Sequence, residues 1–107
     1  MSAAELTIVR PQGRLDASGA PPLEQELRRH LTHGETRLIV DLSETNYISS
    51  NGLRVLLVAL KATRKNGGAL KLCCLSARLS EIFEMVGFDQ VFEIYPTRAE
   101  AAQAFER

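Results

Sequence analysis

The chain has 107 residues, 45% of them hydrophobic and 24% charged, which supplies one core and leaves too little length for two. Its 13 basic and 13 acidic residues cancel, which argues against both the basic face of a nucleic-acid binder and the composition of a disordered chain. The longest uncharged apolar run, Val55 to Leu60, falls far short of the roughly 20 residues of a membrane span, and the opening MSAAELTIVR lacks the basic start and apolar stretch of a secretory signal. The expectation is a cytoplasmic protein with no membrane or nucleic-acid partner.

In chain order, Leu6 to Val9 is β-branched and apolar, ends before Pro11, and predicts a strand. Gly13 to Asp16 is a second short strand or the turn after the first. Ser18 through Pro22 reads as a helix start, since proline is tolerated where its missing N–H has no helical partner. Leu23, Leu27 and Leu31 then form one apolar stripe, and Gly34 is placed to stop the helix in a left-handed cap. Arg37 to Leu42 is a near-continuous apolar run with one late carboxylate, as in a strand covered on both faces. Ser43 to Tyr47 reads as a polar loop.

Leu53, Leu56, Leu57 and Leu60 give the stripe of an amphipathic helix. Lys61 to Lys65 place positive charge near its C-terminal end, where the dipole favours it, and Gly67-Gly68 stops it. Ala69 to Leu75 predicts a strand. Ser76 or Ser80 caps a helix running through Leu79, Ile82, Phe83 and Val86 to Gly87, and Gln90 to Tyr95 predicts a final strand. Thr97-Arg98-Ala99-Glu100 matches a capping box and opens a last helix. The order β-β-α-β-α-β-α-β-α predicts an α/β fold, one domain over residues 1–107, whose mixed, mostly parallel sheet has about four or five strands and about four helices.

Catalytic patterns are weak. His30 and His33 have no cysteine nearby in sequence to complete a tetrahedral set, so solvated histidines are expected and no metal. No GxxxxGK[ST], GxGxxG or GxSxG occurs, and Ser50 has no base close in sequence; neither an enzyme nor a cofactor is expected. Cys73 and Cys74 are adjacent, and strand geometry would point their sulfurs apart, as two reduced thiols. The informative stretch is Asp41 to Leu53, where Ser49, Ser50 and Asn51 stand directly before a strong helical stripe. Ser49 or Ser50 could simply cap that helix; a hairpin turn at Asn51-Gly52 conflicts with the helical period that follows. A serine at a helix start beyond a strand's C-terminal end is also where open α/β sheets place their sites.

This stretch resembles the signature of the STAS domain, above all the stand-alone anti-sigma factor antagonists: a strand ending in Asp-Leu-Ser, a short loop to an aliphatic residue, then a small hydroxyl-rich segment with Gly-Leu opening a helix. Here it reads Asp41-Leu42-Ser43 and Ile48-Ser49-Ser50-Asn51-Gly52-Leu53. Gly13 to Ala17, Gly67 to Leu70 and Gly87 to Phe92 match further landmarks, so the resemblance extends over nearly the whole chain. It implies a switch protein, phosphorylated on Ser50 by a serine kinase that is also an anti-sigma factor, and reset by a serine phosphatase. Two positions depart from the pattern: Ser49 stands where aspartate is frequent and is a second possible acceptor, and Asn51 stands where Ser, Thr or Ala is usual. The implied partner-binding residues are Asn46, Tyr47, Ile48, Ser49, Asn51, Gly52, Leu53 and Arg54. The rival expectations are a constitutive STAS interaction subunit of a transport or signalling complex, with no modified serine, and a small-ligand sensor.

Overall fold

The computed structural model describes residues 5–106; residues 1–4, part of the opening read for a secretory signal, and residue 107 lie outside them. In chain order the elements are β1 (Thr7–Val9), β2 (Gly13–Leu15), α1 (Ala20–Thr32), β3 (Arg37–Asp41), β4 (Thr45–Ile48), α2 (Ser50–Lys65), β5 (Ala69–Cys73), α3 (Ala77–Met85), a 3-10 turn (Phe88–Gln90), β6 (Glu93–Tyr95) and α4 (Arg98–Ala104). The α/β class and the four helices agree with the sequence reading. Among the described residues no helix is long and apolar enough to cross a membrane.

Period-two alternation decides which helix covers which face of the sheet. The four-stranded sheet runs β1-β3-β5-β6. Val9, Leu38, Val40, Leu70 and Leu72 point into one core with Leu23 and Leu27 of α1, Leu53, Leu56 and Leu60 of α2, and Leu79 and Phe83 of α3. The alternate residues Ile39 and Cys73 face the other way and meet Ala101, with Ala102 and Phe105 packed alongside. One strand pattern thus binds three helices on one side and the short α4 on the other. Lys71 is buried on the α4 side, where Glu93 pairs with it and its ammonium lies 4.8 Å from the centre of the Phe105 ring.

Several details differ from the sequence expectation, among them the final strand, which spans only Glu93–Tyr95 after the 3-10 turn at Phe88–Gln90. Ser43 to Tyr47 is not wholly loop: Thr45–Ile48 forms β4, parallel to β2. Its first residue is polar yet buried, because Thr45 Oγ1 donates to the Pro11 carbonyl at 3.1 Å. The expected mixed sheet is also corrected. β1 pairs with β3, β2 lies in a separate two-stranded sheet with β4, and every pairing among the described residues is parallel. Finally, β5 ends at Cys73 rather than Leu75, where the backbone turns to positive φ at Cys74.

Candidate functional site

The site is built where β2, β4 and α2 converge. The Leu15 carbonyl ends β2 and accepts two bonds from Ser49, the backbone N–H at 2.9 Å and the side-chain Oγ at 3.1 Å. Ser49 therefore stands at the N-cap of α2 without capping it by its side chain. The expectation that Ser49 or Ser50 caps the helix through its hydroxyl is corrected: the Ser49 hydroxyl is spent on β2, and no side-chain cap bond forms at the start of α2 among the described residues. Ser49 still starts the helix through its carbonyl, which accepts from Leu53 N–H at 2.9 Å.

The next residue has the opposite character. Ser50 is the first residue of α2, it is exposed, and its hydroxyl has no hydrogen-bond partner among the described residues. The two hydroxyls that were equivalent in sequence are thus distinct in structure, one bound into the fold and one open to solvent. Gly52 explains how the helix can begin so close to β2. A Cβ there would lie 2.7 Å from the Leu15 carbonyl oxygen, 2.7 Å from Ile48 Cγ1 and 2.9 Å from Leu15 Cβ, so only glycine fits without displacement.

The expected partner-binding residues divide by burial. Asn46, Asn51 and Arg54 are exposed, and Tyr47 and Ser49 are half-buried. Ile48, Gly52 and Leu53 are buried. These three present little side-chain surface: Ile48 and Leu53 belong to the core, and Gly52 seats the helix. Residues not singled out from the sequence complete the surface. The Arg14 guanidinium lies 4.3 Å from the centre of the Tyr47 ring and 3.3 Å from Asp16. Ala17, Ala20, Pro21 and Glu24 of the α1 start face Asn51, Arg54 and Val55 across a cavity of about 130 Å³. Glu24 and Val55 continue into an adjoining groove of about 150 Å³ between α1 and α2, lined by Leu27, Leu31, Val58 and Ala62 among others. Only the chain's own folding brings β2 and α1 to this place, so local spacing could not have found them.

Asp41, which opens the signature, is a structural anchor. Its carboxylate accepts Ser43 N–H at 2.9 Å through Oδ1 and the Arg98 guanidinium at 2.8 Å through Oδ2. Burial pushes its pKa up, but the Ser43 N–H and the Arg98 guanidinium outweigh that and hold the carboxyl below its ordinary range. The Ser43 turn that leads into β4 is therefore fixed from behind. Asp16 does the same for the α1 start: the Gly19 and Ser18 N–H groups, at 3.1 and 3.0 Å, keep its carboxyl ionised below the usual value. The histidines are separately engaged, His30 Nδ1 with Glu35 at 2.7 Å and His33 Nδ1 with the Arg29 carbonyl at 2.8 Å.

Against known proteins, the STAS domain family model matches residues 3–101. BtrV of Bordetella bronchiseptica, assigned as an anti-sigma factor antagonist, is 41% identical over 95 residues, covering 89% of this chain and 82% of that protein. The anti-sigma-B factor antagonist of Listeria monocytogenes is 35% identical over 82 residues, covering 77% and 72% respectively. Among solved structures, one from Thermotoga maritima with the same assignment superposes with a TM-score of 0.90 over 95% of this chain and 88% of that one. At 23% identity it speaks for the fold alone.

Proposed function

This chain belongs to the STAS domain family of anti-sigma factor antagonists, and from that premise we propose that it works as a phosphorylation-controlled partner switch. Unphosphorylated, the Ser50 end of α2 docks on an anti-sigma factor that is also a serine kinase, freeing the kinase's client. The observation that carries this reading is the contrast at the head of α2: Ser50 is exposed and its hydroxyl has no hydrogen-bond partner among the described residues, while the Ser49 hydroxyl is bonded to Leu15. Asn46, Asn51 and Arg54, with the edge of Tyr47, form the surrounding contact surface. The protein is non-enzymatic and acts in the cytoplasm, where a serine phosphatase resets it.

In the modification step the γ-phosphoryl of ATP passes to Ser50 Oγ, the hydroxyl proton goes to a base of the kinase, and ADP leaves. The kinase brings nucleotide and magnesium; this chain brings only the acceptor oxygen. The phosphate adds about −1.5 to −2 charge. At a helix N-terminus without a side-chain cap, free N–H groups and the dipole accept that charge, so the fold survives modification. A protein contact is less tolerant. A unit charge about 5 Å from a like charge costs roughly 3 kcal/mol at an effective dielectric of about 20, which is roughly a hundredfold in affinity. An acidic patch on the kinase opposite Ser50 is enough to release the complex.

The test is binding of the cognate kinase by titration calorimetry. Ser50→Ala should bind like the unmodified protein and Ser50→Asp should bind at least tenfold more weakly. Equal binding by both variants would refute the switch and favour a constitutive interaction subunit.

A further inference from the structure

The C-terminal end of β5 holds a group of reactive side chains that the Ser50 site does not use. Cys73 closes β5 and is fully buried; Cys74 is half-buried and follows it at φ +68°, the one non-glycine residue at positive φ among the described residues. Extended backbone would send the two side chains to opposite faces. The left-handed turn at Cys74, which L side chains rarely adopt, undoes that alternation and brings the two sulfurs to 3.2 Å. Both cysteines are free.

Asp41 lies within 4.8 Å of both thiols, which gathers three possible metal ligands. Its oxygens, however, are taken by Ser43 N–H and by Arg98, and a guanidinium at the rim opposes a further cation. Two-electron chemistry between the sulfurs fits the surroundings better. We propose that Cys73 and Cys74 are a modification site, a vicinal dithiol that a small organic disulfide oxidises reversibly to an intramolecular Cys73–Cys74 bond.

The half-buried Cys74 reacts first. Its thiolate attacks one sulfur of the organic disulfide, forming a mixed disulfide and expelling one thiolate, which takes up the proton Cys74 lost. Cys73 then attacks the Cys74 sulfur and expels the second thiolate, which takes up the Cys73 proton. Two protein thiols are oxidised and one organic disulfide is reduced to two thiols. Burial, with the neighbouring sulfur, pushes the Cys73 thiol up to about 12, so Cys73 is a poor nucleophile toward solutes. Toward a sulfur 3.2 Å away proximity offsets that weakness, and the Arg98 charge favours the Cys73 thiolate. Adjacent Cα atoms stand about 3.8 Å apart across a trans peptide, shorter than the roughly 4.4–6.8 Å of ordinary disulfides, so the bond is readily reduced and the modification reversible.

The test is to expose the purified protein to glutathione disulfide, trap remaining thiols with N-ethylmaleimide, and digest with trypsin. The peptide Leu72–Arg78 carries both cysteines. It should be found unalkylated and lighter by two hydrogen atoms, and dithiothreitol should restore both alkylation sites. Phenylarsine oxide, which bridges paired thiols, should bind one per chain and protect both. Cys73→Ser should stop at the glutathione adduct on Cys74. In the unsubstituted protein, a lasting glutathione adduct, a cross-link between two chains, or full alkylation after exposure would overturn the assignment.

Discussion

Replacing Gly52 by alanine should destabilise the protein, although alanine is the better helix former by about 1 kcal/mol. The added Cβ would stand 2.7 Å from the Leu15 carbonyl oxygen and 2.7 Å from Ile48 Cγ1, neither of them the loose end of a flexible side chain. Overpacking of this kind costs about 1–3 kcal/mol. The displaced carbonyl is also the acceptor of both Ser49 bonds, each contributing about 1 kcal/mol. Set against the propensity gain, the net loss is about 2 kcal/mol, or a Tm about 8 °C lower for a chain of this size. Thermal and urea unfolding followed by circular dichroism measure it directly. An unchanged or raised Tm would show that the helix start tolerates a side chain, and the geometric account of the Gly-Leu step would be wrong.

Asp41→Asn keeps an acceptor for Ser43 N–H but removes the charge that pairs with Arg98; with Asp41 only 4% exposed, the loss should be about 1–3 kcal/mol by urea midpoint, and a change under about 0.5 kcal/mol would make the pair ornamental. Asp16, Glu35, Asp41 and Glu93 all have carboxyl pKa values held below their ordinary range in the fold. As pH falls, the unfolded chain binds protons first, so stability present at neutral pH should decline below about pH 5; urea midpoints that stay flat from pH 7 to about pH 3 would contradict this. Cys73 shifts the other way, raised to about 12 by burial. Its stabilisation is complete below the ordinary thiol value and should be lost as pH climbs toward about 12, a slope that Cys73→Ser should abolish.

Where periodicity met a single-faced element, the sequence was legible. Leu23 and Leu27 are buried as their spacing implied, and so are Leu53, Leu56 and Leu60, although Leu57 of that stripe is only half-buried. Gly34 and Gly87 take positive φ at the expected helix stops. Thr97 accepts Glu100 N–H at 3.1 Å where the capping box was read, and Ser76 rather than Ser80 caps α3. What escaped was set by tertiary partners. Thr45–Ile48 is too polar to read as a strand, and becomes one because β2 lies alongside and Pro11 takes the buried hydroxyl. The Arg98–Asp41 pair spans 57 positions, and the meeting of the Cys73 and Cys74 sulfurs depends on one backbone angle that composition does not encode. At the candidate site the segment was found but not the division of labour within it. The Leu15 carbonyl and the difference in exposure distinguish Ser49 from Ser50, and burial sets Ile48, Gly52 and Leu53 apart from the exposed Asn46, Asn51 and Arg54.

The most direct measurement is phosphate mapping by mass spectrometry after incubation with ATP and the cognate serine kinase, on the native sequence, Ser49→Ala and Ser50→Ala. One phosphate on Ser50 is expected in the native chain and in Ser49→Ala, with none in Ser50→Ala. Phosphate on Ser49, or no phosphate at all under conditions where the kinase binds, would contradict the assignment of Ser50 as the acceptor.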